Sequence, residues 1–390
     1  MINFDFQIKT KIIFGKNRHL EIGSILKGYN AHRVLVFIGQ GSVKKSGLLD
    51  IVLSCLDKEK IEYKVLEGVR PNPTADLARD FLKIAREYQP DYLLPIGGGS
   101  VIDTAKLVSV GYFYDGDCFD FNLKKAVPQK ALPIGAILTI SAAGSEMSTS
   151  CVIQDDASMI KRGFNSELVR PIFAIENPEL TYSVSPRQTM HGIVDIMMHT
   201  MERYFQPSSE NEPADGFAES LLKSVIEAGK KVMINPLDYE SRAVLMLMSS
   251  LSHNGLTNIG KEPFMPVHQL EHALSGLYPN VAHGAGLSVL FPAWAKFYIN
   301  YDVDKFDRFA RNVFGLDNPN KLENAKQGIL ELESFYKLIN APLTFGDLGL
   351  NNPDIDKLID LLLDGGKKEI PHYKKPMNSE IARIIYESCR

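Results

Sequence analysis

"DYLLPIGGGSVIDTAK", residues 91–106, reads as a buried strand, a glycine turn and a helix in immediate succession. The apolar run is too short for a helix and shows no alternation, so both of its faces are predicted to be covered. The same grammar repeats outward from it. "RVLVFIG" (33–39) ends in glycine and is followed by a helix-like stretch from Lys44 to Lys58. "EYKVLEGV" (62–69) is the next strand, and "TADLARDFLKIAREY" (74–88) an amphipathic helix with Thr74 as its expected N-cap. "LPIGAILTI" (132–140) is a further strand, and the N-terminal "MINFDFQIKTKIIFG" alternates as a strand does. Residues 1–180 are therefore expected to form an α/β domain of doubly wound type.

The grammar changes near "PELTYSVSPRQ" (178–188). Beyond it apolar residues recur at spacings of three and four, which predicts helices over roughly 187–206, 214–232, 240–258, 263–276 and 284–300. Residues 181–390 are expected to be an all-helical domain. The chain has 390 residues, 45% of them hydrophobic and 23% charged, enough for two independent cores. A net charge of −4 speaks against a nucleic-acid partner. The cysteines, Cys55, Cys118, Cys151 and Cys389, form neither a CxxC nor a disulfide framework, which fits a reducing compartment. No signal peptide or membrane-spanning run is legible, so a cytoplasmic location is expected.

Two turns follow apolar strands: "GQGSVKK" (39–45) and "GGGSVID" (97–103). At such turns the first N–H groups of a helix have no intrahelical partner and receive phosphate readily. Neither turn is G-x-G-x-x-G, and the chain contains no P-loop. They are equally readable as plain tight βα turns; their occurrence at two strand ends favours a nucleotide.

In "HGIVDIMMHTMERYF" (191–205), Asp195 and His199 stand four apart, hence on one helical face. "HQLEH" repeats that spacing with His268 and His272, and His283 follows in "VAHGAG". A mixed carboxylate and imidazole set suits Fe(II), Zn(II), Mn(II) or Ni(II) and not Ca(II) or Mg(II). A single D-x-x-x-H is more often an ordinary hydrogen bond; the second pair raises its significance. His191, a turn before Asp195, would close the open position a catalytic metal needs, while His32, His253 and His372 are lone. "HQLEH" also fits the inverted zincin pattern of metallopeptidases, with Glu271 as base, a competing reading that leaves the first domain without a role.

Together "GGGSVIDTAK" (97–106), "LTISAAGSEMS" (138–148), "DIMMHTMERYF" (195–205) and "HQLEHALSGLYPNVAHGAG" (268–286) resemble the iron-dependent, group III alcohol dehydrogenases, notably their butanol dehydrogenase and NADPH-dependent aldehyde reductase branch. The resemblance runs in order over almost the whole chain and implies an α/β, Rossmann-like nucleotide-binding domain over 1–180 and an all-helical metal- and substrate-binding domain over 181–390. It implies hydride transfer between NAD(P)(H) and a primary alcohol or aldehyde such as butanol or butyraldehyde, with metal and substrate in a cleft between the domains. It makes Asp195, His199, His268 and His283 the metal ligands and His272 a catalytic residue that is not a ligand. Gly97, Gly98, Gly99 and Ser100 would hold the pyrophosphate. Gly39, Gln40, Ser42, Asn72, Thr139, Ser141, Lys161 and Leu180 would line the rest of the cofactor. The implied metal is Fe(II), with Zn(II) or Ni(II) as alternatives, and the implied assembly a homodimer or larger. A glycerol or diol dehydrogenase is the related alternative.

The chain departs from the family pattern in three places. Ala143 stands where the usual turn has threonine, and the interval from His272 to His283 reads one residue longer, although Gly284 keeps its place. Gln40 stands where NAD-preferring relatives carry aspartate. A neutral donor there, with Ser42, Lys44 and Lys45 behind it, predicts tolerance of NADP(H) and a preference for it. Phe264, Phe164 and His253 are candidates for the substrate lining.

Overall fold

The computed structural model describes residues 1–206, 211–262, 264–372 and 374–390. The chain divides into two compact units, Gln7–Val184 and, second, Ser185–Arg390 together with Met1–Phe6. The first contains strands β1 (Lys11–Phe14), β2 (Arg33–Gly39), β3 (Glu62–Val69), β4 (Tyr92–Gly97), β5 (Gly135–Leu138), β6 (Ser150–Asp155), β7 (Ile160–Asn165) and β8 (Phe173–Glu176). Its helices are α1 (Ile22–Gly28), α2 (Ser42–Lys45), α3 (Leu48–Lys58), α4 (Ala75–Tyr88) and α5 (Gly99–Gly111).

Six strands form one parallel sheet in the order β1-β8-β5-β4-β2-β3. Alternate residues of the apolar runs serve opposite faces. Val34, Val36 and Ile38 of β2 and Tyr92, Leu94 and Ile96 of β4 pack with Leu26 of α1 and Val52 and Leu56 of α3. Leu35, Phe37 and Leu93 pack with Phe81 and Leu82 of α4 and Ala105 and Val108 of α5. Burial on both faces is what made these runs continuous rather than alternating. From β2 the chain goes on to β3 on one side, and from β4 to β5 on the other. The strand order therefore reverses between β2 and β4, and both glycine turns lie at the carboxyl ends of these two strands. A crevice at such a reversal is where open α/β sheets take their ligands.

The structure departs from the sequence reading at three local features. The alternating N-terminal segment forms a strand only from Lys11; β1 is an edge strand paired with β8. Upstream, the Ile2 N–H instead donates to Gly260 O at 3.0 Å, within the helical unit. Thr74 occupies the N-cap position of α4 in an extended conformation, but its side chain makes no capping hydrogen bond. The antiparallel hairpin β6–β7 was not foreseen.

The second unit contains α6 (Pro186–Tyr204), α7 (Glu212–Ile234), α8 (Tyr239–His253), α9 (Pro266–Leu277), α10 (His283–Tyr298), α11 (Val303–Phe314), α12 (Lys321–Leu338), α13 (Ile355–Leu363) and α14 (Ser379–Glu387). No strand occurs there among the described residues. Helix α6 runs through its core: Ile193, Val194, Ile196, Met197, Met198 and Met201 are all buried in one cluster. The helix starts where its signals place it. Ser185 Oγ accepts the Gln188 N–H at 3.2 Å, and Pro186 fills the first helical position. No helix among the described residues is long and apolar enough to cross a membrane.

Candidate metal centre and nucleotide turns

On α6, Asp195, His199 and Glu202 fall at i, i+4 and i+7, one face of an otherwise apolar helix. All three are buried. Burying a carboxylate is costly unless partners surround it, and the partners here are imidazoles. Asp195 Oδ1 lies 3.1 Å from His199 Nδ1, 3.9 Å from His268 Nε2 and 3.8 Å from His283 Nε2. Donor atoms of Asp195, His199 and His268 all fall within 4.8 Å of one another, and all three residues are buried. His283, first residue of α10, reaches the group because Gly284 lets that helix approach α6. A Cβ on Gly284 would stand 2.3 Å from His191 O.

His268 and His283 face Asp195 through Nε2 and spend Nδ1 elsewhere, while His199 Nδ1 turns back onto its own helix. His199 Nδ1 lies 3.0 Å from the Asp195 backbone O, His268 Nδ1 pairs with Glu202 Oε2, and His283 Nδ1 pairs with Glu271 Oε2. Asp195 Oδ1 and His268 Nε2 are buried and take no hydrogen bond among the described residues. An unpaired buried polar atom costs about 1–3 kcal/mol, and a divalent cation among these groups would satisfy both at once. Spacings of 3.8 and 3.9 Å are beyond hydrogen bonding and suit atoms that converge on a shared point.

The buried groups shift one another strongly. Burial alone would push the Asp195 carboxyl up, but the surrounding imidazoles outweigh it and hold it well below the usual carboxylate range. Burial lowers His199 to about 4 despite Asp195 beside it. Burial would lower His268 too, but Glu202 and Asp195 overcome it and raise the ring to about 9. His191 is lowered to about 4 by burial and by Arg187. A second trio of donors, Glu271, His272 and His283, also lies within 4.8 Å. The His272 ring is 5.9 Å from His283 and 6.3 Å from His268, centroid to centroid, and is only partly buried.

The remaining lining candidates separate. His253 ends α8 with its ring 4.1 Å from that of His199. Phe264 lines a small pocket with Glu202, Phe205, Gln206, Pro266, Trp294 and His372. Phe164 is packed in the core of the sheet unit. Sequence reading missed Glu202 altogether, although D-x-x-x-H-x-x-E carried the signal.

In the sheet unit the turns are built of backbone. Gly41 has φ 130°, a conformation that favours glycine, and a Cβ there would meet nothing within 4 Å. Gln40 and Ser42 beside it are exposed, and Lys44 is paired with Glu67. Gly98 caps α5, where a Cβ would stand 2.4 Å from Ile140 Cγ2, so its own packing demands glycine. Gly97 is buried at the end of β4, and Gly99 and Ser100 are half-buried in the first turn of α5. Thr139 N–H donates to Gly97 O at 3.1 Å, and Ser141 Oγ is buried with no hydrogen-bond partner among the described residues. Lys161 Nζ on β7 donates to Asn72 Oδ1 at 3.1 Å, and Asn72 has φ 54°. Leu180 packs against the cluster of Val34 and Ile38, and Gly39 closes β2.

A parallel sheet with glycine turns at its reversal point, joined in one chain to a helical unit with clustered imidazoles, is the architecture of a metal-dependent dehydrogenase. Residues 9–178 match the family "Iron-containing alcohol dehydrogenase", and residues 189–389 match "Fe-containing alcohol dehydrogenase family, C-terminal". The chain belongs to the iron-containing alcohol dehydrogenase family. It is 37% identical to NADH-dependent butanol dehydrogenase A of Clostridium acetobutylicum, over 91% of this chain and 92% of the relative. It is 30% identical to the NADPH-dependent aldehyde reductase YqhD of Escherichia coli, over 100% of both. A crystal structure of NADH-dependent butanol dehydrogenase A from Thermotoga maritima superposes with a TM-score of 0.96 at 33% identity, covering 100% of this chain and 99% of that one. The protein is accordingly an oxidoreductase, and the peptidase alternative falls. Glu271, its required base, is fully buried and accepts from His283.

Proposed function

We propose that the protein transfers a hydride between NAD(P)(H) and a primary alcohol or aldehyde of the butanol and butyraldehyde class, at a cation held by Asp195, His199, His268 and His283. The observation that carries this reading is the convergence on Asp195 Oδ1 of three imidazoles, with Asp195 Oδ1 and His268 Nε2 left buried and unpartnered. Fe(II) is the proposed cation, and Zn(II) or Ni(II) suit the same donors. When bound it supplies Lewis acidity toward the substrate oxygen. The chain's residues do the rest. Asp195 contributes the negative charge and the imidazoles fixed nitrogens, while the turns at Gly39–Ser42 and Gly97–Ser100 offer backbone N–H groups to the cofactor phosphates. Asn72, Thr139, Ser141, Lys161 and Leu180 line the rest of the cofactor path.

His272 is assigned the proton transfer. Unlike buried His199 and His268, it is partly exposed and able to exchange a proton with water. His272→Ala is expected to lower kcat about a hundredfold with bound metal unchanged; loss of metal would make it a ligand instead. NADPH is the proposed preferred cofactor, because exposed Gln40 puts no negative charge where a 2′-phosphate would sit. With Lys44 engaged by Glu67, Lys45 is the exposed cation nearby.

The four cysteines are all unpaired and buried, in keeping with a cytoplasmic protein, and we place it there as a homodimer or larger assembly. The test is butyraldehyde reduction by protein reconstituted with Fe(II), Zn(II) or Ni(II), with NADPH and NADH compared by kcat/KM. No turnover with any of the three metals defeats the reading, and a strong NADH preference defeats the cofactor assignment alone.

A further inference from the structure

The two buried carboxylates Glu202 and Glu271 have no place in the chemistry above. We propose that they are positioning residues of the cation site: Glu202 accepts a hydrogen bond from His268 Nδ1–H and Glu271 from His283 Nδ1–H, which keeps each proton on Nδ1 and leaves each Nε2 lone pair facing Asp195. The inference rests on the cation-site reading and extends it.

An imidazole ligates only through a nitrogen that carries no proton, so something must hold the proton on the other nitrogen. His199 solves this within its own helix, through the carbonyl of Asp195 one turn earlier. His268 and His283 have no such recourse. His268 is the third residue of α9 and His283 the first of α10. Four residues before each lies outside its helix, so no helical carbonyl is in place to receive Nδ1–H. Each needs an acceptor from another element, and each has one. Glu202 on α6 reaches His268, and Glu271 on α9 reaches His283.

The acceptors are themselves fixed. Glu202 also receives the N–H groups of Val267 and His268, at 2.5 and 3.2 Å, so it caps the first turn of α9 with the same carboxylate that orients the ring. Glu271 is 0% exposed and stands three residues after His268 on the same helix. Glu202 thus shares α6 with Asp195 and His199 and orients the ligand on α9, and Glu271 shares α9 with His268 and orients the ligand on α10, which links the three helices. The bland reading is that both carboxylates are only internal ties of the helical unit, and the two readings differ in what they say about metal.

The experiment measures Co(II) affinity by chelator competition, with the visible Co(II) spectrum recorded, for full-length metal-free protein and its Glu202→Gln, Glu271→Gln, Glu271→Leu and Asp195→Ala variants. Melting of the metal-free forms is followed by circular dichroism. The expected result is Co(II) affinity weakened about 10–100-fold in the glutamate variants, with an altered spectrum and metal-free melting near wild type. The glutamine variants preserve shape and carry the test where leucine prevents folding. Affinity and spectrum unchanged in Glu202→Gln and Glu271→Gln, with Asp195→Ala unable to bind, overturns this inference and spares the site. The same holds if metal-free stability falls while the folded fraction binds as wild type, for the carboxylates are then only structural. Wild-type binding by Asp195→Ala overturns the cation site and this inference together.

Discussion

The helical unit and the sheet unit present their candidate sites in opposite materials. Around Asp195 the site is made of side chains, all drawn from helices, with Asp195, His199 and His268 buried and His283 half-buried. At Gly39–Ser42 and Gly97–Ser100 it is made largely of main chain, where a Cβ would collide with Val101 at Gly97 and with Ile140 at Gly98 and would be strained by the positive φ at Gly41. A side-chain site fails when a donor is deleted; a backbone site fails when an atom is added. The two regions should therefore respond to opposite kinds of substitution.

The largest effect is expected on the side-chain side. Asp195→Ala removes the one negative charge around which three imidazoles gather. Metal content should drop to background and turnover by roughly a thousandfold or more, the several kcal/mol that Lewis-acid assistance supplies. Elemental analysis with single-substrate kinetics checks this, and a variant that retains metal and rate removes Asp195 from the site.

The addition test comes next. Gly98→Val places a Cβ 2.4 Å from Ile140 Cγ2, an overpacking that should cost about 1–3 kcal/mol. Displacement of the first turn of α5 should raise the KM for the cofactor while metal content stays at the wild-type level. Adding Ile140→Ala sharpens the comparison. If stability returns but cofactor binding does not, the turn serves the ligand; if both return together, glycine was there for packing.

The same contrast explains what could be read in advance. The strands over 33–39 and 92–97 were legible because burial on both faces leaves unbroken apolar runs. The hairpin β6–β7 was not, for it carries Gln154, Asp155, Lys161 and Arg162 and stands outside the main sheet. The pairs Asp195 with His199 and His268 with His272 were legible because helical spacing is local. His283 was not legible from spacing, since it is brought in from another helix by the close approach at Gly284. Only the resemblance pointed to it. Glu202 was passed over because an acid near the end of a helix usually faces water, and its target, the first turn of α9, lies more than sixty residues away. The glycine turns announced themselves by composition, yet composition alone does not separate Gly98, held by packing, from Gly41, held by its φ.

A smaller effect tests the sheet unit for ligand choice rather than integrity. Gln40→Asp adds one negative charge to an exposed turn without changing its packing. It should lower kcat/KM for NADPH about tenfold, near 1.4 kcal/mol of charge repulsion, and leave or improve that for NADH. Equal losses with both cofactors would mean that residue 40 does not meet the ribose.

The smallest expected effect returns to the helical unit and asks how its buried imidazoles limit it in acid. His372 packs its ring 4.0 Å from that of Tyr298 and 5.7 Å from Trp294, centroid to centroid. Burial, reinforced by Lys374, lowers it to about 4 from 6.5. With a folded value below the unfolded one, the fold favours the neutral ring. Its contribution is complete above pH 6.5 and is lost as pH falls toward 4. His372→Phe keeps an aromatic ring and removes the titration. Between pH 7 and pH 5 the variant should lose less stability than the parent by about 1 kcal/mol, a figure reduced for the ring's partial exposure. Urea unfolding at the two pH values measures it, and the imidazoles of the proposed cation site cancel because both proteins carry them. Equal losses would show that the ring is solvated in both protonation states. The acid sensitivity of the helical unit would then have to come from His191 and His199, both lowered to about 4 beside Asp195.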